Sequence, residues 1–141
     1  MALEPSESPG FLLWHATLRW QRGVAAALAP LGLTHVQLVL LACTWWLNEH
    51  GEQPTQVGLA AQAGTDVKMT SQVVRSLEQK GLVARTVDPD DTRARRLRVT
   101  RRGARLAPRA IDVVEQVDAE YFSDVSTEQA LELLGRLAQL P

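Results

Sequence analysis

Residues 59–85 read Leu-Ala-Ala-Gln-Ala-Gly-Thr-Asp-Val-Lys-Met-Thr-Ser-Gln-Val-Val-Arg-Ser-Leu-Glu-Gln-Lys-Gly-Leu-Val-Ala-Arg. A short helix is expected over residues 55–63, with Val57, Ala60 and Ala63 on one face. Gly64-Thr65 turns the chain, and Asp66 is placed to cap a second helix. That helix is expected to run to Lys80 and stop at Gly81. Met69, Val73 and Leu77 give its inner stripe, with Thr70 and Val74 beside them. Lys68, Ser71, Gln72, Arg75 and Gln79 fall on the opposite side. Two short helices joined by a Gly-containing turn form a helix-turn-helix.

Residues 82–87 are strand-like, and Asp88-Pro89-Asp90-Asp91 is a turn signal. Leu97-Arg98-Val99 reads as the return strand, so the hairpin carries a charged tip over residues 88–96. A hairpin directly after the second helix makes the motif winged. The net charge of −1 conceals a segregation. Residues 68–109 hold 12 of the 15 Lys and Arg but only 4 of the 16 Asp and Glu. A basic block on an acidic scaffold is the pattern of a polyanion-binding element; the plainer reading is a solvated basic face. The outward side of the second helix fits the major groove of B-DNA. Gln72 can bond adenine in a paired fashion, Lys68 or Arg75 can reach guanine or phosphate, and Ser71 suits several groups. Arg93, Arg95 and Arg96 on the wing suit phosphates or a narrow minor groove.

Outside this module the chain reads as helices. Residues 1–9 are expected to be disordered. A helix over 11–29 shows Leu13, Ala16, Trp20, Val24 and Ala27 at spacings of three and four, and Pro30-Leu31-Gly32 ends it. Thr34 and Gln37 form a capping box for a helix to about His50. That helix is apolar on most sides and stops at Gly51. Thr100 caps a long helix to about Phe122, with Ile111, Val114, Val117 and Tyr121 as its later stripe and a kink expected at Pro108. Ser126 and Gln129 make a second capping box before a last helix carrying Leu131, Leu134 and Leu137. These terminal helices hold more apolar residues than a small winged module can bury.

The stretch Leu59-Ala60-Ala61-Gln62-Ala63-Gly64, followed thirteen residues on by Leu77-Glu78-Gln79-Lys80-Gly81-Leu82-Val83-Ala84-Arg85, resembles the core of the MarR family. So do Asp88-Pro89-Asp90-Asp91-Thr92-Arg93-Ala94 and the following Val99-Thr100-Arg101-Arg102-Gly103, where Val99 replaces the family's leucine. The resemblance covers roughly residues 11–140, and three motifs in order at matching spacing make it specific. It implies a mainly α protein with a small β-hairpin wing, an α+β winged helix-turn-helix with a helical dimerisation region from both chain ends. Within a single domain spanning 1–141, residues 1–52 and 101–141 would be the dimerisation region and 53–100 the DNA-binding region. It implies a homodimeric repressor that binds a pseudo-palindromic double-stranded operator and is released by a small-molecule effector. It also implies that Asp91 and Arg93 pair to brace the wing. Pro108 is not part of the family's pattern.

Members of that family often bind small aromatic effectors between the dimerisation and DNA-binding parts, and Trp14, His15, Trp45 and Trp46 are the candidate lining. The alternative for these aromatics is packing in the core or at the dimer interface. Cys43 lies in the apolar second helix without basic neighbours, as an inert structural thiol would. His15, His35 and His50 do not make a metal pattern, so neither a metal nor a cofactor is expected. No Ser-His-Asp order, Gly-rich phosphate loop or paired carboxylate stands out, which argues against an enzyme. The longest apolar run, residues 36–47, is too short for a membrane span. The N-terminus is acidic and polar rather than signal-like, and one cysteine makes no internal disulfide. A cytoplasmic location is expected. Two other functions fit the pattern less well: a winged helix used only for protein–protein contact, and a ligand-responsive activator.

Overall fold

The computed structural model describes residues 4–140. Six helices and one hairpin follow in order: α1 (Pro9–Leu28), α2 (His35–Glu49), α3 (Gln56–Ala63), α4 (Val67–Gln79), β1 (Val83–Val87), β2 (Arg95–Val99), α5 (Arg101–Tyr121) and α6 (Thr127–Ala138). This is the expected mainly α winged helix-turn-helix. The N-terminal segment is more ordered than its composition suggests. Residues 1–3 lie outside the described residues, but Pro5–Glu7 forms a 3-10 turn and α1 begins at Pro9. Ser8 Oγ accepts the Phe11 N–H at 3.3 Å, and a proline in the first turn donates no hydrogen bond that would go unmet.

Local chemistry sets most boundaries. Thr34 and Gln37 complete their reciprocal box, at 3.0 and 3.2 Å. Asp66 accepts the Lys68 and Met69 N–H groups at the start of α4. Thr100 Oγ1 accepts from Gly103 and donates to Gly81 O, so it caps α5 and ties it to the end of α4. Ser126 Oγ accepts the Gln129 N–H, which is one half of the expected box. Helix α5 runs as one α-helix with Pro108 inside it.

Helix α2 is the axis of the body. Leu38, Leu40, Leu41, Thr44 and Leu47 are buried on it, and it packs against α3, α4, α5 and β2. Thr44 is accommodated there because its hydroxyl donates to Leu40 O at 2.7 Å. Around α2 the core gathers Val24 and Leu28 of α1, Leu59 of α3, Val74 and Leu77 of α4, and Ala107 and Ala110 of α5.

Two helix faces differ from expectation. On α4 the buried stripe is Thr70, Val74 and Leu77, while Met69 is exposed and Val73 only half-buried. Thr70 takes the inner position because its hydroxyl is satisfied there, by Asp66 O at 2.8 Å and Thr65 Oγ1 at 2.7 Å. On α3, Leu59 and Ala60 face inward and Val57 is exposed.

The hairpin is antiparallel, pairing Val83 with Val99 and Val87 with Arg95. Strand β2 begins at Arg95, earlier than read from sequence, so Arg95 and Arg96 are strand residues and the turn spans 88–94. Its outer side is closed by a side chain. Asn48 of α2 donates Nδ2 to Leu97 O and accepts the Val99 N–H through Oδ1, while the Leu97 N–H donates to Pro54 O.

Helix α6 packs only marginally on the rest of its chain. Leu131, Leu133 and Leu137 are each at least 60% exposed. Phe11, Leu12, Leu13 and Trp14 at the other chain end are exposed as well. No single helix is long and apolar enough to cross a membrane.

Candidate nucleic-acid interface

The interface rests on α4. Asp66 and Gly64, which has φ 71°, set the direction in which this helix leaves the turn. With Thr70, Val74 and Leu77 facing in, Lys68, Gln72, Arg75 and Gln79 form an exposed row at spacings of four, three and four, and Ser71 is half-buried beside it. Among the described residues, the side chains of Lys68, Gln72 and Arg75 make no hydrogen bond or ion pair within the chain. Their donors are therefore available to an outside partner.

The wing is built differently from the expectation. Asp91 and Arg93 do not form a side-chain ion pair. Asp91 Oδ1 accepts the backbone N–H of Arg93 at 3.0 Å, an Asx turn that shapes the tip. The side-chain brace is one step further down the hairpin. Arg96 Nε meets Asp88 Oδ2 at 2.8 Å, and Arg96 Nη1 donates to Gln53 O at 3.1 Å. The Asp90 N–H donates to Asp88 Oδ1 at 2.9 Å. This N–H holds the Asp88 carboxyl below the usual carboxylate range. Burial opposes it, and the Arg96 hydrogen bond and charge and the Asp91 N–H add to it. Arg96 is thus engaged inside the protein rather than offered to phosphate. The reason is geometric: Arg96 is on a strand that returns beside Asp88, not at the tip. Arg93 extends from the tip without a partner among the described residues, and Arg95 bonds Thr92 O and Ala94 O. Arg98, not singled out from sequence, is exposed on the strand face it shares with Arg96. The alternation about the buried Leu97 was its signal.

The basic block therefore divides. Lys80 reaches Gly32 O and Gln37 Oε1, Arg85 pairs with Glu78, and Arg96 pairs with Asp88. Arg101, Arg102, Arg105 and Arg109 belong to α5. The cations left for a polyanion are Lys68 and Arg75 on the helix, Arg93 at the wing tip, and Arg95 and Arg98 on β2, of which Arg95 spends only Nη1 on carbonyls of the turn.

The four candidate pocket residues do not converge. Trp14 and His15 are exposed on α1; Trp45 packs on the core; Trp46 stacks on His50 with ring centroids 4.0 Å apart. The aromatic site that does form centres on Trp20. Its Nε1 donates to Asp118 Oδ1 at 2.7 Å, and its ring meets His35 edge-on at 5.0 Å. It lines a cleft of 370 Å³ with Leu13, Tyr121 and Phe122. The sequence shows Trp20 only as a stripe residue, because its partners lie on α2 and α5, far along the chain. Burial lowers the His35 pKa, and Asp118 partly offsets this. Cys43 is half-buried, and burial pushes its thiol pKa up, away from the reactive thiolate. Among the described residues no group of three or more His, Cys, Asp or Glu is placed to hold a metal.

A model of the MarR family matches residues 33–94. The uncharacterized HTH-type transcriptional regulator YdcH of Bacillus subtilis is 45% identical over 119 residues, covering 84% of this chain and 81% of that one. The HTH-type transcriptional repressor Rv2887 of Mycobacterium tuberculosis is 31% identical over 140 residues, 99% of this chain and 98% of its own. A crystal structure of Rv2887 in complex with salicylic acid superposes with a TM-score of 0.69 at 30% identity, covering 95% and 96% of the two chains. A MarR-family transcriptional regulator from Rhodococcus sp. RHA1 superposes with a TM-score of 0.83 at 30% identity, covering 97% and 98%.

Proposed function

This chain belongs to the MarR family of transcriptional regulators, and from that premise we propose that it acts in the cytoplasm as a homodimeric repressor of a pseudo-palindromic operator. The observation that carries the reading is the unpartnered row Lys68, Gln72 and Arg75 on a capped, exposed helix. Gln72 and Ser71 read base edges in the major groove, with Lys68 and Arg75 beside them on base or phosphate. Arg93 and Arg95 reach the sugar-phosphate backbone from the wing tip. Residues 53–100 form the DNA-binding region.

Residues 1–52 and 101–141 form the dimerisation region. The exposed Phe11–Trp14 patch and the leucines of α6 support this, because they lie at the two chain ends and their own chain does not cover them. A second copy gives these apolar surfaces a partner. A small aromatic effector that releases the DNA completes the reading, supported by the salicylic acid complex of the similar repressor Rv2887.

The test is operator geometry. Selection of bound duplexes from a random pool should return inverted half-sites about one helical turn, roughly 10 bp, apart centre to centre. Inserting about 5 bp between them should abolish tight binding, because it turns one half-site to the far side of the duplex. Unchanged affinity after the insertion would refute the paired-helix reading.

A further inference from the structure

Four arginines of the basic block lie on α5, and three of them wall a cleft. Arg102, Arg105 and Arg109 are spaced three and four apart, so they stand on one face of the helix. Leu31, Leu82 and Leu106 also line the space between them and the chain before α2. The cleft encloses 510 Å³, within the range of small-ligand sites. Arg102 is held by its Nη1 bond to Lys80 O at 3.0 Å. Arg105 and Arg109 make no hydrogen bond or ion pair among the described residues. A guanidinium presents a fork of donors that matches carboxylate or phosphate oxygens.

The position separates this cleft from both surfaces described above. Arg102, in the first turn of α5, bonds the Lys80 carbonyl at the C-terminal end of α4, which is roughly 18 Å along α4 from Lys68 at 1.5 Å per residue. Arg105 is roughly 24 Å along α5 from Tyr121 and the exposed apolar ends. The geometry points to a second ligand site here, for a small organic dianion carried on an apolar body. The charged oxygens meet Arg105 and Arg109, and the body lies against Leu31, Leu82 and Leu106. Leu82 immediately precedes β1, so an occupant touches the root of the wing as well as the junction of α1 and α2.

The test titrates the full-length protein with phenyl phosphate and with phthalate, which separate a phosphate source from a dicarboxylate one. Inorganic phosphate controls for charge alone. At least one organic dianion should bind one site per chain, about tenfold or more tighter than inorganic phosphate. It should also shift the Arg105 and Arg109 side-chain Nε–Hε resonances. The double variant Arg105→Gln/Arg109→Gln should lose at least about tenfold of that affinity, with operator binding unchanged. The site is refuted if neither organic dianion exceeds inorganic phosphate, if those resonances stay still, or if the double variant binds the dianion like the parent. It is also refuted if the double variant weakens operator binding and flattens its salt dependence by about two counterions, because these arginines would then be DNA-backbone contacts. Operator binding by the parent is measured separately, so failure of this site leaves the DNA-binding reading standing.

Discussion

Arg96 reaches from β2 across the base of the wing to Asp88 on the other arm, 2.8 Å from Nε to Oδ2, and from there to Gln53 O beside α3. One guanidinium thus joins both arms of the hairpin to the segment that leads into the helix-turn-helix. The ion pair ties the two arms to each other, and the Gln53 bond acts with the Asn48 and Pro54 bonds to β2 in holding the wing to the body.

Asp88→Asn should therefore weaken operator binding, although it removes a negative charge near phosphate. A purely electrostatic account predicts tighter binding. Asp91→Ala, which deletes only the tip's Asx turn, should also weaken binding, but less. The measurement is operator affinity at two salt concentrations, with folding checked by thermal melt. Tighter binding by Asp88→Asn at both would refute the brace.

The same pair has a pH signature. The folded Asp88 carboxyl titrates below its ordinary value, so its contribution is full above about pH 4 and is lost as pH falls through the lower folded value. A wing resonance such as the Ala94 amide should be unchanged from neutral pH to about pH 5 and move only in more acid solution. In Asp88→Asn that acid transition should disappear; its persistence would assign it to another carboxylate.

Gln72→Ala should cost about 1–3 kcal/mol on the preferred operator and relax base preference at one position of each half-site. Arg95→Gln should instead weaken binding to all sequences alike and reduce the salt slope by about one. Loss of base preference in Arg95→Gln, with none in Gln72→Ala, would reverse the two roles.

Gly103 faces the Leu82 carbonyl so closely that a Cβ would stand 2.0 Å from its oxygen. Gly to Ala inside a helix ordinarily gains about 1 kcal/mol. Here the clash is with backbone, which also accepts the Thr100 N–H, so Gly103→Ala should destabilise by about 1–3 kcal/mol net. Thermal unfolding reads this as a fall of several degrees; a rise would show that α5 and β1 can move apart freely.

Leu131→Glu with Leu137→Glu should shift the protein from dimer to monomer. Each buried leucine contributes about 1.5–3 kcal/mol, so the pair should weaken self-association at least about a hundredfold. Sedimentation at micromolar concentration reports it, and operator binding should fall in parallel. An unchanged dimer would place the interface elsewhere.

The parts legible in the sequence were those set by neighbours in the chain. Thr34, Asp66 and Thr100 cap helices through contacts within three residues, and the winged order followed from such signals. Misread features depended on distant partners or on polar atoms satisfied inside. Thr70 reads as less apolar than Met69, yet it is the buried one because Thr65 and Asp66 O accommodate its hydroxyl. Trp20 and Asp118 are 98 residues apart, so the aromatic cleft could not be assembled from tryptophans that are merely close in sequence. The charge count located the basic block, but it could not tell Arg93 at the wing tip from Arg109 on α5.

The Asn48 contact with β2 has a consequence for association between chains. A two-stranded ribbon ordinarily leaves an open edge on which a foreign strand can pair. Here the outward N–H groups of Leu97 and Val99 and the Leu97 carbonyl are all occupied, by Pro54 O and by the two ends of one amide. An asparagine thus does the work of a third strand along Leu97–Val99, and that stretch of the edge does not offer these groups to a foreign strand.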